Sequence, residues 1–251
     1  MTYTPITDPI LAIQRGLIPG QEIVSILGER DNASVDPAGE DLWKGNAITI
    51  PDPSSSGEQL TVVSNNAADT SAGIGVKTVT IHYLDDTGAQ QTETVTMAGE
   101  TPVNTTATNI SFVNAFHTES KGTNNVAKGN IKLYRTGDAT RVYRKIEAGG
   151  NWDMTCIYKV PLNKTLQMRC WHAEVSSVDD VSVRIRSTDY AGVLKEGIYL
   201  FKGVTQLTNA SSGNLELYTT IPSLSKIKMT AWCDSPNNAL SGGFIGILID
   251  N

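Results

Sequence analysis

The chain is poor in the side chains that most often carry chemistry. Its 251 residues include three cysteines and three histidines. Cys156, Cys170 and Cys233 are odd in number and form no CxxC pair, which argues against a zinc site and against a disulfide framework. Free, buried thiols are expected, and they suit a reducing cytoplasm. His82, His117 and His172 show no HxH, HxxxH or HExxH spacing, so no metal is expected. Long basic runs are also missing, and the formal net charge is -6. A nucleic-acid partner needs a basic footprint that this sequence does not offer. No apolar run reaches the roughly 18 residues of a membrane span, and the first twenty residues lack the basic and apolar regions of a signal peptide. No membrane partner is expected.

Catalytic patterns are scarce too. There is no GxSxG elbow. Gly73-Ile74-Gly75 does not open a helix after a strand and is no dinucleotide fingerprint. Asp85-Asp86 and Asp179-Asp180 are adjacent carboxylates that read as turn residues, not as an acid–base pair. The expectation is a protein that is not an enzyme and has no cofactor.

What the sequence does contain is β pattern. The clearest stretch is Val76 to Met97. Val79, Ile81 and Tyr83 alternate with Thr78, Thr80 and His82, and Val95 and Met97 alternate with Thr92, Thr94 and Thr96. Pairing Val79 with Val95 sets Thr80 opposite Thr94, Thr78 opposite Thr96 and Asp85 opposite Ala89. Asp86-Thr87-Gly88 is then a three-residue loop with Gly88 at positive φ. A slip of one residue would set apolar side chains against threonines throughout.

Similar signals predict strands at 59–64, 76–84, 90–97, 109–116, 130–135, 141–147, 154–160, 165–176, 180–187, 197–206, 215–220, 225–233 and 243–249. Their short length and turn-rich connections predict an all-β fold, an antiparallel, jelly-roll-like β-sandwich. A soft division near Ala148-Gly149-Gly150-Asn151 separates a hairpin-rich β subdomain, 57–150, from a β-sandwich subdomain, 151–251. Residues 1–56 read as an extended N-terminal arm. Thr7-Asp8-Pro9 starts a short helical turn with Asp8 as N-cap and Pro9 at the first position, and Gly16 ends it.

The arm is rich in apolar residues: Ile10, Leu11, Ile13, Ile18, Ile23, Val24, Ile26, Leu27 and Trp43. Two readings stand side by side: these residues pack on their own domain, or they bind a partner. Trp152, Trp171, Trp232, Tyr158 and Tyr199 are candidates for a host glycan, or for core packing.

An ordered set of segments carries a resemblance. Ile18-Pro19-Gly20 and Gly39-Glu40-Asp41-Leu42-Trp43 come first, then Leu60-Thr61-Val62-Val63-Ser64 and Val76-Lys77-Thr78-Val79-Thr80-Ile81. Gln91 to Gly99, Thr101-Pro102-Val103 and Ile110-Ser111-Phe112-Val113-Asn114 follow. Ile157-Tyr158-Lys159-Val160-Pro161 with Lys164-Thr165, and Asn237-Asn238-Ala239 before a Gly-Phe-Ile strand, complete it. In this order they resemble a family of virion structural proteins from tailed bacteriophages. The resemblance implies a non-enzymatic virion component, assembled in the host cytoplasm, that binds other capsid or tail subunits and forms a homo-oligomer. A capsid decoration or head-fibre protein anchored through the arm is one reading. A tail, collar or adaptor protein, or a carbohydrate- or receptor-binding module, is the other.

Overall fold

A computed structural model describes residues 8–45, 47–176, 180–208 and 210–251. Thr7 and Asp179 of the sequence reading lie outside the described residues.

Helix α1 (Pro9–Gln14) is capped as its sequence implies. The Asp8 carboxylate accepts the Ile10 amide at 2.9 Å, and Gly16 takes φ +68° just beyond the end. The strands then run in order. β1 (Gln21–Ala33) and β2 (Glu40–Asp41) come first. β3 (Leu60–Ser64), β4 (Val76–Asp85), β5 (Gln90–Thr96), β6 (Val103–Asn104), β7 (Ile110–Lys121), β8 (Ile131–Arg135) and β9 (Asp138–Ile146) form a contiguous block. β10 (Ile157–Lys159), β11 (Lys164–Val175), β12 (Val181–Ser187), β13 (Asp189–Tyr190), β14 (Val193–Leu194) and β15 (Leu200–Leu207) follow. β16 (Ser212–Ile221), β17 (Lys226–Cys233) and β18 (Asn238–Asp250) complete the chain.

Two sheets enclose the larger core. One has the order β1-β18-β11-β16; the other has β10-β17-β12-β15, with β2 added against β17. Between them lie Val24, Ile26, Leu42, Leu166, Met168, Trp171, Ile185, Ile227, Met229, Phe244 and Leu248, among others. The pairing is a nested hairpin. Taking β1, β10, β11, β12, β15, β16, β17 and β18 in chain order, first pairs with last (β1–β18), second with seventh (β10–β17), third with sixth (β11–β16) and fourth with fifth (β12–β15). All these pairs are antiparallel. A hairpin of four nested pairs rolled into two facing sheets is a jelly roll.

The smaller sandwich, β3 to β9, is inserted in the first connection of the jelly roll. Its sheets are β6-β3-β8-β9 and β5-β4-β7, around Leu60, Val79, Ile81, Tyr83, Val95, Phe116, Leu133 and Tyr143. The hairpin register is the expected one, with Val79↔Val95, Thr80↔Thr94 and Thr78↔Thr96. The Asp85 amide donates to the Ala89 carbonyl at 3.0 Å, and Gly88 sits at φ +85°. The threonine face is only partly solvated: Thr80 is buried, and its hydroxyl lies 3.0 Å from that of Thr94.

The N-terminal segment is extended, as expected, yet most of it is built into the body. Gln21–Ala33 is the edge strand of the jelly roll and pairs along its length with β18. The sequence reading gave this stretch no partner strand because its partner is the C-terminal strand, more than two hundred residues away. The jelly roll therefore draws on both chain ends, and residue 56 is not where an arm gives way to a body.

Candidate interaction surfaces

The segment Gly39-Glu40-Asp41-Leu42-Trp43 is the joint between the two sandwiches. Glu40 pairs with Arg30 at 2.7 Å and accepts the Ser34 amide at 3.2 Å. Asp41 accepts from Lys228 Nζ at 2.7 Å, from the Thr230 hydroxyl at 2.8 Å and from the Ile50 amide at 3.0 Å. Both carboxylates are buried, and these partners offset the cost of removing their charge from water. Leu42 enters the jelly-roll core. Trp43 packs with Ile50, Leu84, Phe112 and Ile157 in a small apolar cluster at the seam. Gly39 lies at φ +76°, and a Cβ there would stand 2.5 Å from the Trp232 ring. The return passage from the insert to the jelly roll, residues 147–156, is pinned by Arg144, whose guanidinium is 3.3 Å from Asp153 and also donates to the carbonyls of Tyr143 and Val113.

Joint and core thus use several of the residues expected to bind a partner. Val24 and Ile26 face the jelly-roll core, Trp43 is buried at the seam, and Ile13 is buried as well. Ile10, Ile18 and Ile23 are half-buried, while Leu11 and Leu27 are exposed. The structure does not gather the nine into one surface, because strand alternation sends neighbours such as Ile26 and Leu27 to opposite faces.

That alternation builds a different surface. On the outer face of β1-β18-β11-β16, register sets Ile23 beside Ile247 and Ser25 beside Ile245. It also sets Thr165 beside Ile249, and Cys170 beside both Ile245 and Glu216. The result is an apolar stripe in which Leu27 and Ile245 are exposed, Ile23 and Ile249 half-buried, and Ile247 buried between them. Tyr218 stands at its far edge, 69% exposed, with the Arg169 guanidinium 5.7 Å from its ring centre. Leu27 and Ile245 are 41% and 37% exposed. Of the three free thiols, Cys156 and Cys233 are buried and Cys170 is partly exposed on this face.

A second surface lies on the outer face of the opposite sheet. The Arg184 guanidinium sits 4.1 Å from the Trp232 ring centre and 5.0 Å from that of Phe201. Arg186 lies 5.2 Å from Trp232 and 5.4 Å from Tyr199. Stacked guanidinium and aromatic planes attract through the ring quadrupole. Of the five aromatic residues considered for sugar, Trp171 and Tyr158 are buried, and Trp152, 45% exposed, stands apart from this surface, stacked on His117. Trp232 and Tyr199 alone belong to this surface.

No pattern in the sequence joins the two histidines that the fold brings together. His82 on β4 and His117 on β7 are 35 residues apart, yet their Nε2 atoms are 3.0 Å from each other. The β4–β7 register, which sets Thr80 opposite His117 and His82 opposite Ala115, makes them diagonal neighbours on one face. Burial, and then the facing His117, hold the His82 imidazole below its ordinary pKa. Among the described residues no group of three or more His, Cys, Asp or Glu could hold a metal ion. Among them, too, no helix is long and apolar enough to cross a membrane.

No family model matches the chain, and no curated protein matches it. Solved structures with some likeness include the globular domain of zebrafish complement 1qA protein. It is 15% identical over 37% of this chain and 68% of that one, with a TM-score of 0.23. Infectious bursal disease virus, Gt strain, is 10% identical over 97% of this chain and 78% of that one, with a TM-score of 0.27. An isomalto-dextranase of Arthrobacter globiformis T6, complexed with panose, is 10% identical over 78% and 33%, with a TM-score of 0.24. The jelly-roll assignment rests on the strand pairing of this chain and not on these neighbours.

Proposed function

We propose that this chain is a non-enzymatic structural subunit of a tailed-phage virion, a capsid decoration or head-fibre protein that assembles with copies of itself. The observation that carries the reading is the group of outward-facing apolar residues Ile23, Leu27, Ile245 and Ile249 on one sheet face, with Leu27 and Ile245 exposed. Apolar residues contiguous on a surface mark an interaction site, and a flat sheet face matches the self-complementary patches of symmetric assemblies. The ordered sequence motifs support the phage assignment. Residues preceding β1, with Leu11 and Leu17 exposed, remain available to a neighbouring virion protein.

The test is incorporation. Particles grown with Leu27→Lys/Ile245→Lys protein should lose this subunit, and unchanged incorporation would sink the proposal. Copy number separates head from tail: a count in the hundreds fits a capsid, and a small ring number fits a tail, collar or adaptor. Removing residues 1–45 is not a clean test of anchoring, because it deletes β1. Removing residues 1–19 leaves the jelly roll intact and asks the same question. The Trp232–Arg184–Phe201 surface favours a second reading, host-glycan binding, which predicts glycan capture that is lost in Trp232→Ala.

A further inference from the structure

We propose that His82 and His117 form a two-nitrogen binding site for a tetragonal divalent metal, Cu²⁺ or Ni²⁺. Hydrogen bonding sets the tautomers. His117 Nδ1 is 3.1 Å from the Thr118 carbonyl, which can only accept, so Nδ1 carries the proton and Nε2 a lone pair. His82 Nε2 then donates to His117 Nε2 across the 3.0 Å gap, and His82 Nδ1 accepts from the Thr92 hydroxyl at 3.3 Å. One proton occupies the point on which two ring nitrogens converge.

A metal ion can bridge the two nitrogens from about 1.4 Å to one side of the line between them, without a net change in protonation. The His82 proton moves from Nε2 to Nδ1, and the Thr92 hydroxyl turns from donor to acceptor. Each imidazole then presents Nε2 to the metal and donates Nδ1–H to an oxygen, the arrangement that orients metal-bound histidines. Histidine χ2 is a broad torsion, so ring rotation can turn both lone pairs off the line between the nitrogens and toward the metal.

The spacing selects the geometry. With metal–nitrogen bonds of about 2.05 Å, nitrogens 3.0 Å apart subtend roughly 95° at the metal. That is a cis pair in a square-planar or octahedral site, whereas a tetrahedral ion needs about 3.3 Å. Imidazole in tetragonal geometry suits Cu²⁺ and Ni²⁺, and Cu²⁺ stands highest in the affinity order. Water completes the sphere from a neighbouring cavity of about 190 Å³ lined by Glu22, Ser25, Asn114 and Trp152. Glu119, two residues along β7 from His117, adds negative charge.

Trp152 supplies the readout, since its ring stacks on His117 with centroids 4.9 Å apart. Titrating the full chain with CuCl₂ near neutral pH should quench part of the tryptophan fluorescence at one metal per chain. Electron paramagnetic resonance should show an axial signal with two nitrogen ligands. Affinity should fall at least about tenfold in His82→Asn and in His117→Asn, each checked for folding by circular dichroism, and stay unchanged in His172→Ala. Trp152→Phe should bind Cu²⁺ calorimetrically as the parent does while losing the quench. This second variant leaves both ligands in place. Equal Cu²⁺ affinity in parent and both histidine variants, or no binding by the parent at about 100 µM Cu²⁺, would overturn the site.

Discussion

The two sandwiches of this molecule are built from the same kind of strand but closed in opposite ways. The inserted unit, β3 to β9, is made from one continuous stretch, and its clearest hairpin closes over three loop residues. The jelly roll is closed by β1 against β18, the first long strand against the last. Closing that pair spans the whole insert, a loop-closure cost that the local hairpin does not carry. A sheet closed by chain ends is sensitive to trimming at either end, and a locally closed one is not.

The largest expected effect follows from that difference. Deleting residues 21–33 removes Val24 and Ile26 from the core and bares the edge of β18. The jelly roll should lose cooperative folding while amides of β4 and β5 stay protected, as hydrogen exchange would show. Loss of protection in both units together would break the comparison. Next in size is Phe112→Ala at the seam. Phe112 is fully buried with Trp43, Leu84 and Ile157, so its loss should cost about 3–5 kcal/mol. It should also split one calorimetric transition into two, because this cluster joins the units. Gly28→Ala is smaller. Its Cβ would stand 2.5 Å from the Cys156 amide nitrogen, where β1 crosses the return passage. Overpacking there should cost about 1–3 kcal/mol, seen in denaturant titration as a lowered midpoint with unchanged slope.

The smallest effect is confined to the insert and depends on pH. The Asp85 carboxylate is held below its ordinary pKa: burial pushes it up, and bonds from the Thr87 hydroxyl, Gln91 and the Ala89 and Thr87 amides more than offset that. A depressed carboxylate adds stability that is present above its unfolded pKa of about 3.9 and is lost as pH falls through the folded value. Protection factors of the hairpin-turn amides, taken against the intrinsic exchange rate at each pH, should thus fall below about pH 4 in the parent. In Asp85→Asn that fall in protection should be absent.

Much of the insert was legible in the sequence. Alternation, the Asp86-Thr87-Gly88 loop and the like-with-like pairing of Val79 and Val95 all point to one register, because every determinant is local. The long strands of the jelly roll from β10 onward were legible as strands for the same reason. What could not be read was their closure. Ile23, Val24, Ile26 and Leu27 look like an unpartnered apolar run until β18 is placed beside them, and only then does the run divide into two core residues and two surface residues. Glu40, Asp41, Leu42 and Trp43 were legible as a motif but not as a joint, since their partners Arg30, Lys228, Thr230 and Phe112 are scattered along the chain. The His82–His117 pair was hidden likewise. It depends on the β4–β7 register, and β4 has bulges against β7 that no pattern in the sequence announces.

The proposal that this outer face drives assembly is tested most directly by the solution mass of the full chain, measured by light scattering beside the Leu27→Lys/Ile245→Lys variant. Both positions are partly exposed on the outer face, so the monomer fold should keep its melting temperature. The parent should run as a multiple of the chain mass and the variant as a single chain. Equal masses for the two proteins, with both folded, would contradict the assignment of this face to assembly.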